Sequence, residues 1–319
     1  MSRITPIAVA AAAIVAIAPA TAQAATQPVA TTGLAGSITP QSATLTGTID
    51  PGGAGTRYVF EYGKTKKYGA KTATASAGGG TSKVAATAAV TGLQSNTVYH
   101  YRLVARNAKG VSRGVDRTFK TPRQPLGFAV AASPNPIAFG DPLVIAGTLG
   151  GTGSSNRQVQ LQQNPWPYTT GFQPVGNVQL TSSTGAFTFP LLGVALNTQY
   201  RVVTTDKTPT ISPVVQAGVL IDVDTGVRKT RVYRGSRLRF SGKVHPARDG
   251  VQVGLQRNDR GKWKTIKGGR TTAGGTTFSR YELRGTIRKG GSYRVFVKVA
   301  DGSLQSHYGP EIKIRTRRR

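Results

Sequence analysis

The chain has 319 residues, which at roughly 100–200 residues per domain predicts two or three domains. It has no cysteine, so thiol catalysis, iron–sulfur clusters, cysteine zinc sites and disulfides are excluded. Its 42 Lys and Arg against 12 Asp and Glu give a net charge of +30, and a field of that sign favours anionic partners. Forty Gly and 18 Pro, with no 3.6-residue apolar period after the N-terminus, predict an all-β chain.

Residues 1–24 have the features of a secretory signal peptide. Arg3 precedes an apolar run of 12 residues from Ile7 to Ala18, and Ala22-Gln23-Ala24 is a small-x-small cleavage site. The run is short for a membrane span, so we expect cleavage after Ala24 and export, with an uncleaved anchor as the alternative. No other long apolar run follows, and we expect no transmembrane segment in the mature chain.

The positive charge is concentrated in the last third of the chain. Residues 25–122 carry 12 basic and 3 acidic side chains, and residues 123–217 carry 4 and 2. Residues 218–319 carry 25 and 7, a net charge of +18. The last third is therefore a polycation beside a nearly neutral middle third.

Residues 27–122 contain a series of alternating strands. Strands B, C, E and G are predicted at residues 43–49, 57–62, 84–90 and 116–120, and the F strand alternates Tyr99, Tyr101, Leu103 and Ala105 with polar residues. This pattern, with Val90-x-Gly92-Leu93 before it and Asn107 and Gly110 after it, resembles the E–F half of a fibronectin type III domain. The resemblance implies a "tyrosine corner", in which the Tyr99 hydroxyl bonds back to the E–F loop. Leu45 and Ser95 depart from the usual Trp and Pro of that family.

Two further segments, residues 126–217 and 218–319, repeat one another. Both have an L-x-[IF]-x-G strand, a V-x-[LV]-x-[QL] strand and a Tyr-Arg-Val strand in the same order. Both resemble the immunoglobulin-like β-sandwiches of secreted bacterial proteins. A proline-rich linker at residues 121–125 precedes them, and the boundary between the repeats is predicted near residues 214–220. We therefore predict three tandem β-sandwiches after the signal peptide.

No catalytic or metal constellation stands out in this sequence. The three histidines, His100, His245 and His307, are scattered and are interpreted as surface residues. Asp222-x-Asp224 offers too few oxygens for calcium, and Gly63-Lys64-Thr65 lacks the spacing of a phosphate-binding loop. We expect no enzymatic activity and no cofactor.

The chain has two tryptophans, Trp166 and Trp263. Trp166 lies between Pro165 and Pro167, and Tyr168 follows them in a predicted loop, where this aromatic pair could stack on a sugar. The alternative, which we favour, is that Trp166 covers the edge of the core of its own domain. Trp263 is predicted to point inward, together with Ile266.

Cations of the last segment form the strongest candidate site. With Leu238, Phe240 and Val244 inward, the neighbouring cations of that strand face outward, and Arg280 or Arg284 of the E strand could join them. With Tyr293, Val295 and Val297 inward, Arg294 and Lys298 face outward as well. Lys313 and Arg315 are predicted on the final strand, and the last three arginines in a C-terminal tail. The predicted polyanion-binding residues are Arg237, Arg239, Lys243, Arg294, Lys298, Lys313, Arg315, Arg317, Arg318 and Arg319. They are predicted to cover both faces of the sandwich.

These features favour a secreted, non-enzymatic protein at the cell surface. Its expected role is adhesion or spacing, held by charge to anionic envelope polymers or acidic polysaccharide, with other surface proteins as further partners. The alternative is a carbohydrate-binding accessory protein of a secreted hydrolase system. Nucleic acid is not an expected natural partner, since no recognition helix or stacking platform is visible. The basicity could also reflect solubility and composition alone.

Overall fold

The computed structural model describes residues 24–318. The predicted signal peptide therefore lies outside the described residues except for Ala24, and Arg319 also lies outside them. All regular structure from residue 24 to 318 is β-strand, which confirms the predicted fold class. No helix in this range is long and apolar enough to cross a membrane. The chain divides into two compact units, Met1–Gln124 and Pro125–Arg319.

The first unit is a β-sandwich of two sheets. One sheet has the order β1-β2-β6, and the other has the order β4-β3-β7-β8, with β5 paired to β3 and β9 paired to β7. The strands are β1 (Val29–Thr32), β2 (Ser42–Asp50), β3 (Thr56–Gly63), β4 (Ala70–Lys71), β5 (Ala75–Gly78), β6 (Val84–Thr91), β7 (Val98–Asn107), β8 (Gly110–Arg113) and β9 (Arg117–Lys120).

Alternation along β7 builds the core of the first unit. Its inward residues, from Tyr99 to Ala105, are buried as predicted. The Tyr99 hydroxyl accepts a hydrogen bond of 2.9 Å from the backbone N–H of Gln94, which confirms the predicted bond to the E–F loop. The Tyr101 hydroxyl donates to the carbonyl of Gly33 at 2.7 Å. Both buried hydroxyls therefore have hydrogen-bond partners, and the two bonds connect β7 to two loops.

A half-buried carboxylate on β3 links three strands of the same sheet. Glu61 accepts hydrogen bonds from Arg102 Nε and Nη2 at 2.9 and 2.7 Å, and Lys71 Nζ lies 3.1 Å away. Burial raises the pKa of Glu61, but the hydrogen bonds and charges of Arg102 and Lys71 outweigh that effect and hold it below 4.5. The carboxylate therefore stabilises the fold while it is ionised.

Replacing Glu61 with glutamine should destabilise the first unit at pH 7. We expect a loss of about 1.5–3 kcal/mol, the range for hydrogen bonds to charged groups. Because the folded pKa is lowered, this stabilisation is present above the unfolded pKa and is lost as the pH falls through the folded pKa. Hydrogen-exchange mass spectrometry of β3 and β7 peptides in urea, at pH 7 and pH 3, measures the difference. An equal loss at both pH values would contradict the ionic role.

The second unit begins with a pair of sheets built from residues 127–217. One sheet has the order β10-β12-β16, and the other has the order β14-β13-β17-β18 with β15 on β13. Buried residues of both sheets, including Ile145, Leu161 and Phe187, form their core. The strands are β10 (Gly127–Ser133), β11 (Ile137–Ala138), β12 (Leu143–Gly150), β13 (Gln158–Pro165), β14 (Gln173–Pro174), β15 (Gln179–Leu180), β16 (Ala186–Leu191), β17 (Thr198–Thr204) and β18 (Val215–Ala217).

A second pair of sheets, here called the basic sandwich, follows in the same unit. Its sheets have the orders β20-β23-β27-β26, with β21 on β23, and β22-β30-β28-β24-β25, with β29 on β28. The strands are β19 (Val219–Leu220), β20 (Asp222–Val223), β21 (Gly226–Val227), β22 (Arg231–Tyr233), β23 (Ser236–His245), β24 (Gln252–Asp259), β25 (Lys262–Arg270), β26 (Thr272–Ala273), β27 (Ser279–Ile287), β28 (Gly291–Lys298), β29 (His307–Tyr308) and β30 (Ile312–Arg317).

Aromatic residues from opposite sheets meet in the core of the basic sandwich. Phe240 on β23 stacks on Tyr293 of β28 with ring centroids 6.1 Å apart, and both are almost fully buried. The inward side of β23 is the one that alternation predicted, with Leu238, Phe240 and Val244 buried. The odd-numbered cations of this strand, Arg237, Arg239 and Lys243, therefore face outward, because successive strand side chains point to opposite faces.

The two pairs of sheets in the second unit are joined by main-chain hydrogen bonds. β19 pairs in parallel with β11 of the preceding sheets. On its other side, the N–H of Gln305 donates to the carbonyl of Val219 at 2.7 Å, and Ile221 donates to the carbonyl of Gln305 at 3.0 Å. One continuous set of buried residues runs through both pairs. The predicted boundary near residues 214–220 is thus strand rather than flexible linker.

Candidate functional site

The histidines take part in local contacts rather than in a shared site. His100 Nδ1 lies 2.8 Å from Asp116 Oδ2, and the ring of His245 packs on Phe278. His307 stacks on Tyr308 with centroids 4.5 Å apart, and burial lowers its pKa. Within residues 24–318, no group of three or more His, Asp or Glu side chains is arranged to hold a metal ion.

The candidate sugar-stacking residues contact their own unit. Trp166 is half-buried, and a methyl group added to Gly302 would lie 3.3 Å from its Nε1, so the indole edge lies against that loop. The Tyr168 hydroxyl accepts a hydrogen bond of 2.7 Å from Gln216 Nε2. Trp166 therefore packs at the join between the two pairs of sheets, whereas Tyr168 bonds to β18 of its own pair.

The prediction that Trp263 points inward with Ile266 is wrong. Trp263 is half-buried on β25, and Ile266 is 43% exposed. β25 is an edge strand, and its pairing with β24 shifts between Leu255 and Gln256, so that Ile266 is an extra residue in β25. A bulge of this kind re-aims the side chains around it, which explains why simple alternation failed here.

Trp263 instead takes part in an aromatic–arginine stack on the outer face. The guanidinium carbon of Arg294 lies 4.1 Å from the Trp263 ring centroid and 3.8 Å from that of Tyr308. Arg294 Nε also donates to Gln256 Oε1 at 2.9 Å. Arg294 is therefore on the predicted face, but it is half-buried between two rings and is a poor candidate for binding a polymer.

Three predicted cations share one outer face of the basic sandwich. Arg237, Arg239 and Lys243 are exposed on β23. The register of β23 and β27 places Arg239 opposite Arg284 and Lys243 opposite Arg280. Like charges directly opposite one another on a sheet are destabilising, so this arrangement of charge costs stability.

One carboxylate and one aromatic ring moderate that repulsion. Glu282 accepts from Arg239 at 3.0 Å and from Arg284 at 2.8 Å. The hydrogen bond from Arg284, with the charge of Arg239, lowers the pKa of Glu282. Lys243 and Arg280 both lie near the ring of Phe278, at 4.5 and 5.5 Å from its centroid. These contacts hold the cations in place, but the single carboxylate does not neutralise all of them, so the face keeps a net positive charge.

The opposite outer face carries a second group of predicted cations. Lys298 on β28 and three residues of β30, Lys313, Arg315 and Arg317, are exposed. The parallel pairing of β22 with β30 adds Arg231 beside Arg315. Arg318 is exposed just beyond β30, and Arg319 lies outside the described residues. The structure thus brings the predicted cations together in two groups, one on each face.

A groove between the two sheets lies next to the first of these faces. It has a volume of about 1050 Å³. Its lining includes six cations and one carboxylate, here called the basic groove: Arg237, Arg257, Lys267, Arg284, Arg288, Lys289 and Glu282. The groove follows from the topology, since β27 is paired on its far side only at Ser279 and Arg280 and β25 is the edge strand of the other sheet.

Arg257 is the least exposed cation of the basic groove. It continues the inward alternation of Val253 and Leu255 along β24, and its side chain is 18% exposed. Its Nη2 lies 3.5 Å from Asp259 Oδ1, and its buried Nε has no hydrogen-bond partner. Leaving a buried donor unpaired costs free energy, so the guanidinium group of Arg257 is not fully hydrogen-bonded within its own unit.

Several groove residues fall outside the set predicted from the sequence. Arg257, Lys267, Arg288 and Lys289 are not among the predicted residues, and the sequence places Arg284 only on the outer face. Arg257 could have been identified from the sequence, because the alternation of Val253 and Leu255 puts this cation on the inward side of β24. The positions of Lys267 and Arg288 depend on the bulge and on the strand end, which carry no comparable signal.

Comparison with known proteins gives matches among solved structures only. No protein-family model matches the chain, and no curated protein matches it. A crystal structure of domains from titin has 14% identity and a TM-score of 0.40, and the match covers 92% of this chain and 100% of that one. The chicken CNTN1 FN1-FN3 domains have 15% identity and a TM-score of 0.27, covering 91% and 99%. The strand order and cores described above establish that this chain consists of tandem β-sandwiches.

Proposed function

We propose that this chain is a secreted or envelope-associated adhesion or spacer protein of three β-sandwiches, which holds to anionic surface polymers through its basic sandwich. The tandem β-sandwich fold is compatible with a non-enzymatic spacer. The observation that carries the proposal is the pairing of like charges across β23 and β27, at Arg239 with Arg284 and Lys243 with Arg280. Like-charge pairs lower the stability of the fold, and such pairs are expected where the charge serves to bind a ligand.

The location of the charge argues against composition as its only cause. Residues 123–217 carry a net charge of +2, whereas residues 218–319 carry +18. Both belong to the same compact unit and form similar pairs of sheets. A need for solubility or a general compositional bias would act on both segments alike. The excess of cations is therefore a property of the basic sandwich itself.

The distribution of the cations favours an extended ligand. They occupy both outer faces and the basic groove, while carboxylates such as Glu282 and Asp259 already bond to cations. A small anion would neutralise only one of these regions. A flexible polyanion can follow the surface from one region to the next and gain from many weak contacts.

A salt titration of the full-length protein tests the proposal. We expect retention on immobilised polygalacturonate and on immobilised poly(glycerol phosphate) at about 0.05 M NaCl. We expect release below about 1 M NaCl, where the screening length falls to about 3 Å. Neutral dextran serves as the control and should not retain the protein. Retention on dextran, or retention on the polyanions in 1 M salt, would show that charge is not the basis of binding.

A further inference from the structure

We infer that the basic groove selects phosphate groups, and that the polymer held by this protein is a base-free phosphodiester rather than a polycarboxylate. This inference rests on the proposed function and names the chemistry of its ligand. Three observations support it: the high ratio of arginine to lysine in the basic sandwich, the arrangement of the groove cations, and the donors of the groove wall that lack partners.

The basic sandwich is rich in arginine. Residues 218–319 contain 17 Arg and 8 Lys, whereas residues 25–122 contain 5 Arg and 7 Lys. A lysine ammonium supplies charge equally well, but it is a strongly hydrated point charge. The guanidinium is more weakly hydrated and presents a rigid fork of donors, which suits it to phosphate recognition. The composition therefore indicates recognition of an oxyanion in addition to bulk charge.

The groove cations approach from several directions. Arg237 comes from β23, Arg257 from β24, and Arg284 from β27. Arg288 and Lys289 follow the end of β27, and all of them line one groove. A planar carboxylate accepts donors mainly in its own plane, whereas a tetrahedral phosphate accepts them from different planes. Guanidinium groups on both sheets are thus better matched to phosphate.

The wall of the groove also offers donors that lack partners. Arg257 lines the groove, and the hydrogen bonding of its guanidinium group is incomplete, because its buried Nε has no partner. Beyond Arg280, β27 pairs with no described strand on its far side, and Glu282, Arg284 and Thr286 line the groove there. The exposed edge of a strand presents main-chain N–H groups as well as carbonyls. Phosphate oxygens can accept from such groups as well as from arginine.

The polymer is inferred to lack nucleobases. Nucleic-acid binding by extended surfaces generally adds aromatic side chains on which the bases stack. No aromatic ring except that of Tyr293 lines the basic groove, and Tyr293 is buried with its hydroxyl bonded to the carbonyl of Lys289. The rings of Trp263 and Tyr308, on the other face, stack on Arg294. The groove therefore offers donors to the backbone of a polymer and no stacking platform for its bases.

A charge-conserving variant separates phosphate recognition from general electrostatics. The triple variant Arg237→Lys, Arg284→Lys, Arg288→Lys keeps the net charge but removes three guanidinium forks. We expect the full-length wild-type protein to bind poly(glycerol phosphate) about tenfold more tightly than polygalacturonate at equal ionic strength, and the triple variant to lose that preference. Isothermal titration at several salt concentrations measures both quantities. The salt dependence should stay unchanged, because the charge is unchanged.

A second charge-conserving variant is the matched control. Arg231→Lys, Arg315→Lys, Arg317→Lys makes the same exchange on the opposite face and should retain the preference. Equal affinity of the wild type for both polymers, or a preference that survives in the groove variant, would overturn the inference while leaving the proposed function intact. Failure to bind either polymer would overturn both. Tighter binding of single-stranded DNA than of poly(glycerol phosphate) would overturn the assignment to a base-free polymer.

Discussion

Neutralising four cations of one outer face should weaken binding to either polyanion by about 10²–10³-fold at low salt. The variant is Arg237→Gln, Arg239→Gln, Lys243→Gln, Arg284→Gln. Each Lys or Arg near an anionic surface contributes about 1 kcal/mol to binding, and a loss of about 10²–10³-fold corresponds to somewhat less than that for each of the four cations. The change also leaves Glu282 without its two partners, which adds uncompensated negative charge to the face. Titration calorimetry with poly(glycerol phosphate) at several NaCl concentrations measures both the affinity and the salt slope, which should become shallower.

The same variant should fold at least as well as the wild type. It removes the like-charge pairs of Arg239 with Arg284 and of Lys243 with Arg280, and such pairs cost a few tenths of a kcal/mol or more. This gain offsets the loss of the two exposed ion pairs of Glu282, which contribute a similar amount. Weaker binding together with unchanged or higher stability is therefore the expected combination. Loss of stability would instead indicate that these cations serve the fold.

Four cations of the first unit provide the matched control for charge number. Replacing Lys66, Lys67, Lys83 and Lys109 with glutamine gives the same change in net charge, and all four are exposed. We expect this control to lose affinity by less than about tenfold, because these residues belong to a unit with a lower charge. A loss equal to that of the basic-sandwich variant would show that only the total charge matters.

Replacing Phe240 with alanine should lower the free energy of unfolding of the second unit by about 3–5 kcal/mol. Phe240 is fully buried and stacks on Tyr293, so the change removes apolar contacts from the centre of the core and leaves a cavity. Urea unfolding followed by tryptophan fluorescence reports this unit alone, because both tryptophans, Trp166 and Trp263, belong to it. Phe240→Leu fills most of the cavity and should cost much less.

The position of the tryptophans allows the coupling within this unit to be measured. Trp166 belongs to the first pair of sheets and Trp263 to the basic sandwich, and the two pairs share main-chain bonds and buried residues. In Phe240→Ala proteins that carry Trp166→Phe or Trp263→Phe, the remaining tryptophan should report the same shifted transition. A shift seen by Trp263 but not by Trp166 would show that the two pairs of sheets unfold independently.

Alternation predicted the inward and outward faces well where strands are long and paired on both sides. β7 and β23 lie within their sheets, and their inward residues, such as Tyr101 and Phe240, are buried as expected. A one-residue error in register would place a whole row of apolar residues in water. The hydrophobic pattern in such strands therefore determines the direction of every side chain, including the outward arginines.

Prediction failed where a residue's environment depends on an edge or a stack. Trp263 and Ile266 lie on an edge strand whose register shifts, and local alternation contains no information about a bulge. Arg294 does face outward, but Trp263 and Tyr308 come from different strands to cover it. Its loss of exposure is a property of three strands together, and it could not be read from any one of them.

The amino-acid sequence by itself determined the all-β class, the inward and outward faces of the central strands, and the concentration of positive charge in the last segment. These depend on side-chain period and composition, which are local properties of the chain. Only the tertiary structure decided that Arg239 lies opposite Arg284, that Arg294 is covered, and that Arg257 joins other cations in one groove. Those arrangements depend on strand register, sheet edges and bulges, which are set by packing between segments far apart in the chain.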